Sequence, residues 1–429
     1  MKVEIFKPML ALLAPAIFSV SIAFSQTVPE QLEALFTSPQ YPVNGSVLVA
    51  EHGKVIYKKS FGFADAKNKL PNREESRFQL ASITKIFTST AILQLRDKGK
   101  LNLDDPLNRY FPEFPYPDIS IRHLLSHTSG LPDFQIFEEL VEKSPSKTFT
   151  NADIVPALKA WKTPLASKPG DSWGYSNPGY CLLALLIEQV SGLKFEDYVR
   201  QQIFVPTGMA NSYFETDKLP APDLNKAKEQ SYRLLFDNEL QAVEMAKWRG
   251  FTGNGGIIST AGDLLRFDQA LYSGRLLKPS TLDDAFSPVR LNNGKSAKTT
   301  TLDASYGLGW FIFEDQPTGK IVWHGGGRPG VVTVFLRNVT KKQTVAVLDN
   351  SYNLETYRIG VNAINILNGK PVANRKKSLV RKYALSLIES GPDTAFCKLV
   401  ELRSDGSRYF LDEDEMNELA LQLLYAGKS

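Results

Sequence analysis

The sequence predicts an α/β (α+β) fold in which one antiparallel sheet, assembled from both ends of the chain, is flanked by helices. A helical subdomain lies beside the sheet, and a small helical extension closes the C-terminus. Three observations carry this expectation. Strand-like segments gather near both ends of the chain beyond residue 25, the region between them is mostly helical in pattern, and the last fifty or so residues are again helical. A length of 429 residues, 43% of them hydrophobic and 22% charged, suffices for one large domain or two closely packed ones.

Taken in order, Lys2 and Lys7 bracket the approach to an apolar run from Pro8 to Phe24 that ends in Ala23-Phe24-Ser25. Residues 1–25 read as a secretory signal peptide, which implies a periplasmic or secreted protein. The run is short and broken by Pro8 and Pro15, so no integral membrane span is expected in the mature chain. Ser46 to Ala50 and Lys54 to Ser60 flank His52-Gly53 as a hairpin. Gly309 to Phe313, Lys320 to Trp323, Val331 to Leu336 and Thr344 to Leu348 supply the remaining strands. The main body then covers residues 26–368, with its sheet drawn from 43–65 and 305–350 and its helical part from about 85 to 300.

Helix boundaries are marked chemically. Thr150 with Asp153 forms a capping box between Phe149 and Ile154, and Asp412 with Glu415 repeats the arrangement between Leu411 and Met416. Gly192 ends the apolar helix that carries Leu182, Leu183, Leu185, Leu186 and Ile187. Gly369-Lys370-Pro371 breaks the chain before a helical extension over residues 374–429.

The charge balance, 50 basic against 46 acidic residues, gives no single-sign field that would draw nucleic acid or an anionic membrane. Cys181 and Cys397 lie far apart and read as two buried free thiols rather than a disulfide. None of His52, His123, His127 and His324 makes a metal-ligand spacing with Cys or Glu, so neither a metal nor another cofactor is expected. The partner implied is a small-molecule or peptide substrate, and the oligomeric state is left open.

Chemistry concentrates at three places. Ser82-Ile83-Thr84-Lys85 opens a long apolar stretch, and on a helix residues three apart are neighbours, so Lys85 can reach the Ser82 hydroxyl. Two other Ser-x-x-Lys strings are decoys. Ser144 to Lys147 lies in a turn, and Ser191 to Lys194 spans the helix end at Gly192. A serine nucleophile needs a base, oxyanion donors and a proton source. Lys85 is a base only if burial or neighbouring cations lower its pKa, and its apolar flanks favour that.

Tyr175-Ser176-Asn177 sits between the loop Lys168 to Gly174 and a helix, where the phenol can relay a proton and the amide can fix Lys85 or meet a substrate carbonyl. His324-Gly325-Gly326-Gly327 follows the strand at Trp323, and glycines there let backbone approach a ligand. The N–H groups of Gly327 and Ser82 are candidate oxyanion donors, each worth about 3 to 4 kcal/mol in such chemistry. Ser351-Tyr352-Asn353 reads as a turn after the last strand.

In this order and spacing, Ser82-x-x-Lys85, Tyr175-x-Asn177 and His324-Gly325-Gly326 resemble the serine β-lactamase and penicillin-binding family, in its class C-like branch. Phe78 to Ser82, His123 to Leu131, and Gly255 to Thr260 with Asp263 share the likeness, which runs from about Gln31 to Asn368. The resemblance implies a β-lactamase/DD-peptidase-like fold with its site between sheet and helices. It also implies an acyl-enzyme on Ser82, with proton transfer shared by Lys85 and Tyr175 and with Asn177 orienting. Enzymes of the class C type carry Lys-Thr-Gly where this chain has His324-Gly325-Gly326, a pattern more like D-amino-acid peptidases and some carboxylesterases of the branch. A histidine holds a substrate carboxylate only when protonated, so the likeness does not extend to efficient antibiotic hydrolysis. The expected function is hydrolysis of a D-alanyl peptide, a β-lactam or a small ester. A carboxylesterase and a slowly turning over penicillin-binding sensor are the alternatives.

Overall fold

The computed structural model describes residues 26–38, 42–161, 163–217, 232–234, 240–242, 250–299, 304–315, 317–351, 353, 355–372, 376–411 and 413–425. The expected signal peptide and Asp412 lie outside these residues. A seven-stranded antiparallel sheet forms the centre. Its strands are β1 (Gly45–Glu51), β2 (Lys54–Phe61), β3 (Ser305–Tyr306), β4 (Phe311–Asp315), β5 (Gly319–Arg328), β6 (Val331–Asn338) and β7 (Gln343–Asp349), in the spatial order β3-β4-β5-β6-β7-β1-β2. The two ends of the chain meet where β1 pairs with β7, Gly45 opposite Asp349 and Glu51 opposite Gln343.

The central strands are buried on both faces because successive side chains point opposite ways. On β7, Val345 and Val347 pack with Leu32, Leu35 and Phe36 of helix α1 (Val28–Phe36), together with Ile359, Ala363 and Ile364 of a C-terminal helix (Thr356–Leu367). Ala346 and Leu348 face the larger core, which includes α2 (Thr84–Asp97), α3 (Asn177–Ser191) and α4 (Ala261–Tyr272). A fully buried ion pair, Arg337 Nε to Asp268 Oδ1 at 2.6 Å, ties β6 to α4. Helix α5 is the C-terminal helix Thr356–Leu367, and α6 (Leu379–Ser390), α7 (Pro392–Arg403) and α8 (Glu413–Tyr425) form the extension.

Four sequence expectations change. The strand expected from Gly309 begins at Phe311, because Gly309 takes a left-handed φ of 89° and turns the chain. The glycines after His324 do not follow a strand but continue it: β5 runs to Arg328 because β6 pairs with it throughout, Gly326 opposite Thr333 and Gly327 opposite Val332. The part from about 85 to 300 is not all helical. Phe78–Gln79 and Tyr213–Phe214 pair with Ile257–Ser259 in a small sheet, and Tyr232–Leu234 pairs with Leu240–Ala242. Cys181 is buried as expected, but Cys397 is exposed on α7.

Candidate active site

Ser82 stands in a single 3-10 turn, Ala81–Ile83, that feeds directly into α2. The approach is fixed from both halves of the molecule. Leu80 N–H donates to the Ile257 carbonyl at 2.9 Å, and Thr333 Oγ1 on β6 donates to the Leu80 carbonyl at 2.9 Å. Ala81 is held at a φ of 47°, a region costly for a residue with a Cβ, which is a constraint often stored at functional sites. Helix α2 is buried from Thr84 to Leu95, and its hydroxyls are satisfied by surrounding carbonyls: Thr88 donates to Gly253 at 2.7 Å and Ser89 to Leu308 at 2.6 Å.

One turn on from Ser82, at the start of this helix, Lys85 is fully buried. Its Nζ lies 3.2 Å from Ser82 Oγ, 2.8 Å from Asn177 Oδ1 and 2.9 Å from the Asn254 carbonyl oxygen. The ring centroids of Tyr175 and Tyr180 stand 4.8 and 5.5 Å from it. Burial pulls the Lys85 pKa down to about 7, with nearby Cys181 and Asp133 opposing the shift. Burial acts in the other direction on Tyr175, whose phenol is hydrogen-bonded to Ser82 and held neutral far above the ordinary tyrosine range.

The Tyr175-Ser176-Asn177 segment is locked by the loop that follows the short helix Ile121–Leu125. Ser176 caps α3, its Oγ accepting from Gly179 N–H at 3.3 Å and donating to the Pro132 carbonyl at 3.0 Å. Ser176 N–H donates to His127 Nδ1 at 3.2 Å and Gly174 N–H to the His127 carbonyl at 2.8 Å, while the His127 ring lies against Tyr175 with centroids 4.3 Å apart. Asp133 accepts from the Asn177 backbone N–H and from its Nδ2, both at 3.1 Å.

His324 and Gly326 face the serine side of β5. A Cβ on Gly326 would fall 2.2 Å from the Leu80 carbonyl oxygen, whereas one on Gly325 would meet Tyr357 on the opposite face. Pairing of β4 with β5 ends at Phe311 opposite Trp323, so among the described residues no strand covers that edge from His324 to Arg328, and Gly327 is exposed there. Both ring nitrogens of His324 are engaged: Nδ1 donates to the Gly325 carbonyl at 2.6 Å, and Nε2 accepts from the Tyr306 hydroxyl at 3.4 Å. Burial, with the charge of Lys85 adding to it, pushes His324 down to about 3, so it is neutral at ordinary pH and presents no cation to a carboxylate. The cation beyond the glycines, Arg328, is paired with Glu215 at 3.0 Å and bonded to Gln79 at 3.1 Å.

The structure thus brings Ser82, Lys85, Tyr175 and Asn177 into one cluster, with His324 and Gly325 to Gly327 on the strand beside it. Sequence reasoning missed Asp133, Asn254 and His127. His127 stands inside a stretch already singled out, and Asp133 lies two residues past its end. Asn254 directly precedes the Gly255 to Thr260 segment. Among the described residues no group of His, Cys, Asp and Glu is arranged to hold a metal, and no helix is long and apolar enough to cross a membrane.

Comparison with known proteins agrees with this geometry. A family model described as Beta-lactamase matches residues 38–367. Penicillin-binding protein 4* of Bacillus subtilis (strain 168) is 35% identical over 83% of this chain and 81% of its own length. Esterase EstB of Burkholderia gladioli is 28% identical over 74% of this chain and 87% of its own. The solved structure of D-amino acid amidase from Ochrobactrum anthropi SV3 in complex with L-phenylalanine amide superposes with a TM-score of 0.64 and 25% identity, covering 76% of this chain and 94% of that one.

Proposed function

We propose, from the premise that this chain belongs to the beta-lactamase family and is one of its serine hydrolases, that it hydrolyses a small ester or amide through an acyl-enzyme on Ser82. The observation that carries the reading is the surroundings of Lys85. A neutral amine has two N–H bonds and one lone pair. With Asn177 Oδ1 and the Asn254 carbonyl taking the two hydrogens, the lone pair is left toward Ser82 Oγ. Lys85 takes the hydroxyl proton as Oγ attacks the carbonyl carbon. The resulting ammonium then has three oxygen acceptors and two aromatic faces around it. Tyr175, neutral and bonded to Ser82, passes its proton to the leaving group, and the Lys85 ammonium beside it returns the proton taken from Ser82 to the phenolate, so both groups are neutral again in the acyl-enzyme. The N–H groups of Ser82 and Gly327 receive the oxyanion, and water then releases the acyl group.

The neutral state of His324 and the pairing of Arg328 with Glu215 favour substrates that need no carboxylate anchor. An ester or an uncharged amide fits better than a D-alanyl peptide or a penicillin. The likeness to an esterase and to a D-amino acid amidase supports the same preference. The apolar run before Gln26 supports export with cleavage near Ser25.

The test is the turnover of p-nitrophenyl butyrate and of a penicillin, with intact mass recorded for the parent and for Ser82→Ala. The parent is expected to hydrolyse the ester faster than the penicillin, and Ser82→Ala to lose turnover and adduct alike. Ester hydrolysis that survives Ser82→Ala overturns the nucleophile. Efficient penicillin turnover overturns the substrate preference.

A further inference from the structure

Asp133 follows Leu131-Pro132 in the loop beneath the Tyr175 segment, and its carboxylate grips Asn177 by both the backbone N–H and the side-chain Nδ2. An asparagine amide can offer a neighbour either its oxygen or its nitrogen. Because Asp133 draws Nδ2 to itself, Oδ1 is the end that faces Lys85 Nζ at 2.8 Å. Turned over, the same amide would offer hydrogens to the amine and remove one of the two acceptors that leave its lone pair toward Ser82. The loop does not depend on Asp133 for its attachment to α3. Ser176 already ties it through the Pro132 carbonyl and through His127 Nδ1.

We propose that Asp133 is a positioning residue for the acyl transfer, setting the Asn177 amide so that Lys85 stays aimed at Ser82 as a base. This rests on the assignment of Ser82 and Lys85 above. The groups facing Lys85 are Asp133, Cys181, the phenols of Tyr175 and Tyr180, and the neutral rings of His127 and His324. Within this set Asp133 is the anion. Its charge and the amide oxygen that it fixes both favour the ammonium form of Lys85, so removing Asp133 moves the acid limb of the rate profile to lower pH even as the rate falls.

The experiment follows p-nitrophenyl butyrate hydrolysis across about pH 5 to 9 for the parent, Ser82→Ala, Asp133→Asn and Asp133→Ala, with thermal unfolding of each. Asp133→Asn keeps the volume and one acceptor. It is expected to lower the plateau kcat on the order of 10- to 100-fold with little change in KM, and to shift the acid limb of kcat/KM downward. Asp133→Ala, which introduces no new donor, is expected to give the same two changes, and it decides the matter if the asparagine variant does not fold. A plateau within about twofold of the parent, or a loss of rate with the acid limb unmoved, overturns the proposal. A parent with no Ser82-dependent turnover removes the Ser82–Lys85 assignment and this inference with it. A parent that turns over by Ser82 beside an unaffected Asp133→Asn removes this inference alone.

Discussion

A lysine with no exposed surface is usually paired with a carboxylate, because an unpaired buried charge is expensive to desolvate. Lys85 instead meets three oxygens of uncharged groups, and Asp133 is hydrogen-bonded to Asn177 rather than to the lysine, which feels it through that amide and through its charge. Its pKa near 7 follows from that arrangement, and the sign of the pH dependence follows in turn. Below that pH the amine carries its proton and cannot accept another; above it the lone pair is available. The kcat/KM for an ester is therefore expected to climb with pH through a limb near 7 and then level off. Lys85→Met is expected to lower the plateau by about 10²- to 10⁴-fold. A pH–rate profile measured on both proteins checks this, and a parent profile without an acid limb would refute Lys85 as the base. His324 contributes no limb of its own, since its Nδ1 proton is given to Gly325 and its Nε2 is covered by Tyr306.

At the scale of elements, the glycine run of β5 is where steric demands are sharpest. A Cβ on Gly326 would lie 2.2 Å from the Leu80 carbonyl oxygen and 2.4 Å from Thr333 Oγ1, and the first of these is backbone that holds Ser82 in place. Gly327 has open space, its nearest neighbour being the Tyr357 hydroxyl at 3.8 Å. Gly326→Ala is expected to lose roughly 1 to 3 kcal/mol of stability and most turnover, whereas Gly327→Ala loses far less stability. Thermal unfolding of the two variants, side by side, separates them; equal midpoints would contradict the packing described. The same strand shows where sequence was insufficient. Short apolar runs separated by Gly, Pro and charged turns located β1, β2, β6 and β7, but glycine carries no strand signal, and only its pairing with β6 reveals that the run is extended. Strands of two or three residues such as Phe78–Gln79 and Ile257–Ser259 are too short for any period to register. In the site, spacing found Ser82 with Lys85 and Tyr175 with Asn177. Asp133 and Asn254 were invisible because they act on partners 44 and 169 residues away, which only the folded chain brings near.

On the scale of the whole molecule, the sheet is the device that joins distant sequence: β1 locks to β7, and the serine approach is pinned between β6 and the Ile257–Ser259 strand. Among the described residues, neither of the two large cores includes anything beyond Leu367. The extension has its own small cluster of Val380, Ala384 and Leu419, with Tyr383, Met416 and Leu423 packed on it. It is closed by Lys377 N–H to the Arg408 carbonyl at 2.6 Å and by the Ser378 hydroxyl to Glu415. So few buried apolar groups give a segment of about 50 residues little stability of its own, while the body loses no core side chain when the segment is removed. A chain ending at Val372 is therefore expected to keep Ser82-dependent ester turnover within about twofold and its main unfolding midpoint within a few degrees. The full chain should show, below that midpoint, a separate and weaker transition from the extension. Calorimetry of the two proteins tests this directly. A large fall in the midpoint of the shortened chain would mean that α6 to α8 brace the catalytic body. Retained stability with lost turnover would mean instead that the extension reaches the active site.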